Sequence, residues 1–342
     1  MKKAETGTEK EEQMAIRRAV KGLHFGGWAQ KEEAAATIRD LAKRDLSKKR
    51  ALAELGVVPP LVSMLVEAEE GGACQRLALE ALVELANASF TNKVLIVDAG
   101  LLTRLPQLQS KANLSTKKSL APLLLSISSL AKTQIPINSL PILSFLLHIL
   151  RSPLRPTDTP ILVSATTALH NLSTQLDNSK SIISAGAVHL LFNLCFFHPK
   201  AAEAALATLA NLTLTEEGKR GIEEESLVPE ALVHVMARDE EPRCQELAAY
   251  LLMVVVGRSE EKRRRMVEMG FVETLMEVGL VGRSKVVREK AICMLRWFQD
   301  GRSKGGMGDV KRCRREIRCL VNESLDRNME SILRRGGGQM KN

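Results

Sequence analysis

Residues 54–66 read ELGVVPPLVSMLV, and the same phrase returns along the chain as DAGLLTRLPQL at 98–108, PINSLPILSFLLHIL at 136–150, SAGAVHLLFNL at 184–194, EESLVPEALVHVM at 224–236 and EMGFVETLMEV at 268–278. Superposed, these segments put Gly56, Gly100, Asn138, Gly186, Ser226 and Gly270 in one column. Gly or Asn in that place closes a helix by adopting a left-handed backbone. Pro59, Pro141 and Pro229 follow shortly after, where a first helical turn loses nothing by lacking an N–H. Each phrase is a helix stop followed by a helix start.

A second column lies downstream of each phrase. AAATIRDLA, LALEALVELA, LLLSISSLA, TTALHNLS, LATLANLT, AAYLLMVVV and AICMLRWF all carry apolar residues at helical spacing around a central site. That site is Asp40, Glu84, Ser129, Asn171, Asn211, Met253 and Arg296 in turn, at steps of 44, 45, 42, 40, 42 and 43 residues. The steps fall within the period of about 40–47 residues that marks stacked helical repeats. A unit of two long helices and a short one is too thin to cover its own apolar faces, so stacking is what buries them. The expected fold is all-α, a right-handed superhelical solenoid of about six to seven repeats. Residues 16–300 form the solenoid, 1–15 a disordered leading segment, and 301–342 a basic amphipathic helix and tail. RSPLRPTDTP (151–160), with three prolines, marks a loop within the array.

Composition agrees with thin helical layers. The 342 residues exceed what one compact core usually serves, and 45% are apolar while only 3% are aromatic, so the core is Leu, Ala, Val and Ile. No apolar run reaches the roughly 18–20 residues of a membrane span. MKKAETGTEKEEQMAIRR lacks the apolar centre of a secretory signal, which points to the cytoplasm, the nucleus or both. The six cysteines are scattered without a CxxC pair, so neither a disulfide framework nor a zinc site is expected. The net charge of +9 is uneven: from Gly301 onward eleven Lys or Arg stand against five Asp or Glu. Nucleic acid is therefore expected at most at the tail.

The column of Gly, two apolar residues and Pro, followed by ALHNLS and TLANLT, resembles armadillo repeats. VKGLHFGGWAQKEEAAATIRDLAKRD leading into RALAELGVVPPLVSMLV more narrowly resembles the armadillo region of plant U-box proteins. The resemblance spans roughly residues 16–300. It implies a scaffold that binds an extended segment of a partner protein along a concave groove, in ubiquitin-related signalling. In that family a U-box precedes the repeats and recruits the ubiquitin-conjugating enzyme; here only about 15 polar residues precede the first repeat helix, so no catalysis is expected. The alternative is the substrate-recognition part of a U-box ubiquitin ligase whose gene model is truncated. A nuclear-transport adaptor fits less well, because importin-alpha proteins pair each groove Asn with a Trp four residues earlier. The corresponding positions here are Ala36, Glu80, Leu125, Thr167, Ala207, Ala249 and Ile292.

Enzymatic motifs are missing: there is no GxSxG, Walker-type loop, HExxH or GxGxxG, and no cofactor or small-molecule substrate is implied. Cys195 and His198 lie close in NLCFFHP, but their apolar neighbours suit a packed helix end better than a nucleophile and base. Asn171 and Asn211 fall on the column that faces the groove in armadillo proteins. Either their amides hold the main chain of a partner peptide, or they tie neighbouring turns together or simply face water. Thr167, one turn before Asn171, lies on the same face. Glu80 and Glu84 share one helical face, and Arg288 with Arg296 occupy it in the last repeat, giving a groove acidic at one end and basic at the other. In the tail, DVKRCRREIRCLVNESLDRNMESILRR spaces its apolar residues by threes and fours, as an amphipathic helix capping the stack would.

Overall fold

A computed structural model describes residues 2–300 apart from 70, 88, 134–136, 154, 239–240 and 258. The chain is 83% helical and, among the described residues, has no strand, as the repeat spacing requires. It divides into two compact units, residues 1–255 and 256–342.

The first unit opens with α1 (Lys2–Phe25) and α2 (Trp28–Arg44). The first helix starts at Lys2, ahead of the boundary at residue 16 that polarity suggested. The first full triplet is α3 (Leu46–Glu54), α4 (Val58–Glu67) and α5 (Ala73–Ala86). The next has α6 (Phe90–Asp98), α7 (Leu101–Lys111) and a third helix made of α8 (Leu114–Ser119) and α9 (Ala121–Ser128), which tightens into a 3₁₀ turn over Ser129–Lys132. Only α10 (Ser139–Arg151) and α11 (Thr159–Ser173) are seen as α-helices of the following repeat among the described residues. Two more triplets complete the unit: α12 (Ser179–Ser184), α13 (Ala187–Phe197), α14 (Pro199–Leu212), then α15 (Glu216–Glu223), α16 (Glu230–Ala237), α17 (Pro242–Val255).

Local chemistry sets the boundaries. Gly56, Gly100 and Gly186 have φ of 75°, 85° and 68°, the left-handed backbone expected of that column. Asn138 meets the same need differently, with an extended backbone and its Oδ1 accepting from the Leu140 N–H at 3.3 Å. Short first helices start on polar caps: Asp45 accepts from Ser47 N–H, Ser89 from Asn92 N–H and Thr215 from Gly218 N–H. Each such cap contributes about 1 kcal/mol, which matters for helices of two turns.

Packing proceeds by type. Third helices touch in the order α2, α5, α9, α11, α14, α17, and second helices in the order α4, α7, α10, α13, α16. The core between these layers consists of small and branched residues. Ala35, Ala78, Ala81, Ala121, Ala165, Ala168, Ala205 and Ala248 are fully buried, so helix backbones approach closely, while Leu82, Leu124, Leu169, Leu209 and Leu252 fill the space between. Each buried Leu contributes about 1.5–3 kcal/mol relative to exposure. Phe145 and Phe192 are the largest fully buried side chains, consistent with the low aromatic content.

The second unit contains α18 (Glu260–Glu268), α19 (Phe271–Val281) and α20 (Lys285–Asp300), one further triplet with Gly270 at φ 74° between its first two helices. Met266, Leu275, Val287, Ala291 and Met294 are its buried residues of largest consequence. The amphipathic helix expected over 310–333 lies outside the described residues.

Candidate functional site

The third helices carry the polar side chains singled out in the sequence, and their C-terminal ends are joined by a ladder of hydrogen bonds. Ser126 Oγ donates to the Ala86 carbonyl at 3.3 Å, linking α9 to α5. Asn171 Nδ2 donates to Ser128 Oγ at 3.0 Å, linking α11 to α9. Asn211 Nδ2 donates to Ser173 Oγ at 2.9 Å, linking α14 to α11. Thr213 Oγ1 and Tyr250 Oη, 3.3 Å apart, link α14 to α17. Asn171 is buried, and among the described residues its Oδ1 has no hydrogen-bond partner. One amide N–H of each Asn is therefore committed to the adjacent repeat. Thr167 is half-buried one turn earlier on α11.

The acidic residues are paired as well. Arg39 Nη1 reaches from α2 to Glu80 Oε2 at 2.8 Å while its Nε holds Asp40 Oδ1 at 2.9 Å. Those two carboxylates, Asp40 foremost, raise the Arg39 pKa above its already high value. Glu84 Oε2 lies 4.0 Å from Nζ of Lys49, a buried lysine that also donates to the Asn87 carbonyl at 3.1 Å. Arg288 and Arg296 belong to the second unit. There Arg288 Nη1 donates to the Gly282 carbonyl at 2.6 Å, while Arg296 is exposed on α20.

Glu80 and Glu84 form one wall of a groove of about 720 Å³ that crosses α2, α5 and α8–α9. Asp40, Lys43, Arg76 and Thr116 are among the other side chains lining it. Its floor is fixed by Gln75: Nε2 donates to the Leu65 carbonyl at 2.7 Å, and Oε1 accepts from Gly71 N–H at 2.9 Å and Thr116 Oγ1 at 3.2 Å. The far rim is held by Lys118, whose Nζ donates to Asp158 Oδ2 at 2.6 Å and to the Pro153 carbonyl at 3.0 Å. That ammonium, followed by the Arg155 backbone N–H, lowers the Asp158 pKa. Asp158 and Pro153 come from the proline-rich loop at 151–160, and the ion pair ties that loop to Lys118, which lines the groove.

Sequence reasoning placed Glu80 and Glu84 but passed over Arg39, Lys43, Arg76, Gln75 and Lys118. A signal for some of them existed. The cross-repeat bonds join residues one period apart: 41 for Arg39 with Glu80, 41 for Thr116 with Gln75, 40 for Lys118 with Asp158, and 43 for Asn171 with Ser128. Complementary polar residues one period apart on third helices identify the contacts.

The thiol at Cys195 is fully buried, and burial pushes its pKa far up, while His198 is exposed at the helix end. The pair does not form a nucleophile and base. Among the described residues no three His, Cys, Asp or Glu gather closely enough to hold a metal ion.

A ladder of third helices with side chains bridging each step, and a groove across it, defines an armadillo-type repeat scaffold for protein interaction. The family model described as the plant U-box protein ARM repeat region matches residues 13–316, and the chain belongs to that family. U-box domain-containing protein 45 of Arabidopsis thaliana is 27% identical over 270 residues, which are 78% of this chain and 34% of that protein. The chain thus spans about a third of that relative's length. Among solved structures, the crystal structure of an engineered protein matches with a TM-score of 0.52 at 23% identity, over 82% of this chain and 77% of that one, and shows the shared fold.

Proposed function

We propose that this chain is a non-catalytic adaptor that binds an extended segment of a partner protein in the groove across α2, α5 and α8–α9, within ubiquitin-related signalling in the cytoplasm or nucleus. The observation that carries the reading is the contrast along the third-helix layer. Asn171 and Asn211 each spend one amide N–H on the neighbouring repeat, whereas the groove keeps solvent-facing polar side chains on a backbone fixed by Gln75 and Lys118. Preorganised polar groups give a flexible segment its register at low ordering cost. The test places a photo-crosslinking residue at exposed Ser119 in the groove or at exposed Lys180 on α12, in the full chain within plant cells. Adducts with a discrete partner peptide from position 119 alone support the reading; adducts from 180 alone sink it. Mixed with ubiquitin, activating enzyme and conjugating enzyme, the purified chain forms no ubiquitin chains. Robust chain formation would overturn the non-catalytic part.

A second reading, the substrate-recognition part of a U-box ligase, is favoured by the match covering 34% of a U-box relative. Mapping the 5′ end of the transcript decides it: a U-box open reading frame continuous with residue 1 establishes the ligase, and a stop codon ahead of Met1 removes it.

A further inference from the structure

The groove's charges divide into those the protein has already used and those it has not. Asp40 and Glu80 share Arg39, Glu84 faces Lys49, and Lys118 is turned to Asp158 with only 10% of its side chain exposed. Each carboxylate lining the groove therefore has a cation within the protein. Two lining cations have no such partner: Lys43 at the end of α2 and Arg76 in the first half of α5 are both exposed, and among the described residues neither meets a carboxylate. Asp40, three residues before Lys43 on α2, and Glu80, four residues after Arg76 on α5, are the charged groups on the same helices, and both carboxylates are turned to Arg39.

We infer that the groove selects an acidic segment, an extended peptide whose carboxylates pair with Lys43 and Arg76. This deepens the groove reading above and rests on it. The physical reason is that a bound chain sheds water from the groove walls, and an ion pair neutralised inside the protein attracts a partner's charge only weakly, while an unpaired cation in a partly enclosed groove attracts an anion more strongly than on an open surface. A basic segment finds one net negative charge on the Asp40–Arg39–Glu80 cluster, a single cation shared by two carboxylates, and meets two positive charges at Lys43 and Arg76. Length fits a short motif. Two helix-to-helix steps of about 8–10 Å each are covered by about five or six extended residues at about 3.3 Å per residue. Arg76 offers a planar fork of donors and suits a carboxylate bidentately, so it fixes the register, while Lys43 supplies a point charge tolerant of position.

The experiment uses the full chain and fluorescence anisotropy with three labelled peptides: repeated Glu-Ser-Gly, the same with Gln for Glu, and the same with Lys for Glu. The Glu peptide binds tightest, and added salt weakens it because exposed pairs are screened. The double reversal Lys43→Glu and Arg76→Glu weakens the Glu peptide about ten-fold, equivalent to about 1.4 kcal/mol. Because the chain carries +9 overall, a control reversal at exposed Lys180 and Lys200, outside the groove, must leave affinity unchanged. Equal loss in the control, or absence of binding by the Glu peptide, overturns the inference. If the Lys or Gln peptide binds tighter and Ser119→Trp abolishes that binding, the groove reading stands and the acidic specificity falls. Circular dichroism on both double variants checks that the fold is intact.

Discussion

Replacing Asn171 and Asn211 together by Ala removes two rungs of the ladder that joins the third helices, and the structure sets the expected cost. Each amide donates one hydrogen bond to a serine hydroxyl of the preceding repeat, at 3.0 Å and 2.9 Å. Both hydroxyls keep their own donor bonds, Ser128 to the Leu125 carbonyl and Ser173 to the His170 carbonyl, so neither is stranded by the substitution. The loss is then the net value of an ordinary hydrogen bond, about 0.5–1.5 kcal/mol per rung. At 171 it is offset in part, because the buried Oδ1 has no partner among the described residues and its removal relieves a desolvated acceptor. About 1.5–2 kcal/mol for the pair, at 2–4 °C per kcal/mol for a domain of this size, lowers the melting temperature by about 3–8 °C. Hydrogen exchange locates the effect: amides of α9, α11 and α14 lose protection, while those of α2 and α5 keep theirs, since stacked repeats couple mainly to their neighbours. A cycle pairing Asn171→Ala with Ser128→Ala gives a coupling of about 0.5–1.5 kcal/mol. Unchanged melting and exchange, together with lost partner binding, would refute the reasoning and return both amides to the partner's main chain.

Three further outcomes are expected. Among the described residues the Gln75 side chain makes three hydrogen bonds and that of Gln245, at the corresponding place on α17, makes one, to the Met236 carbonyl at 2.9 Å. Gln75→Ala therefore costs about 1–2 kcal/mol more than Gln245→Ala in urea unfolding, and equal costs would disprove the assignment. Asp158 has a folded-state pKa held below its unfolded value by Lys118, so its contribution is present above about pH 3.9 and is lost as pH falls through the folded value. Asp158→Asn should accordingly flatten the acid limb of the stability curve below about pH 4, and an unaltered limb contradicts the pairing. At Gly56, with φ 75° and no atom nearer than 3.9 Å to an added Cβ, Gly56→Ala costs about 1–2 kcal/mol through backbone strain alone. Gly27→Ala, at φ −70° in open space, is neutral or slightly stabilising in the same calorimetric scan, and the reverse order would show that space rather than φ governs the column.

The order of helices was legible in the sequence because it depends on local chemistry. Gly56, Gly100 and Gly186 reveal themselves by falling in register, and left-handed backbone at a helix junction is a property of the residue and its immediate neighbours. Asp45, Ser89 and Thr215 likewise announce the first helices they cap. Apolar spacing in segments such as LALEALVELA fixes which face of each helix is buried. Once the period is known, stacking follows, since no unit covers its own core.

What the column of Asn171 and Asn211 does was open on sequence alone, because a side-chain amide has the same chemistry whether it meets a peptide or a serine in the next repeat. The structure adds the position of Ser128 and Ser173, residues from another helix brought within 3.0 Å of the two amides. The same holds for the charges: Glu80 and Glu84 looked like an acidic groove end while they were read along one helix; across helices Arg39 and Lys49 face them, and Lys43 and Arg76 emerge as the exposed groove-lining cations that meet no carboxylate among the described residues. Periodicity along the chain is set by local propensity and burial, which the sequence states directly. Pairing across repeats depends on helix register and rotation to within a few tenths of an ångström, and only the packed tertiary structure fixes that.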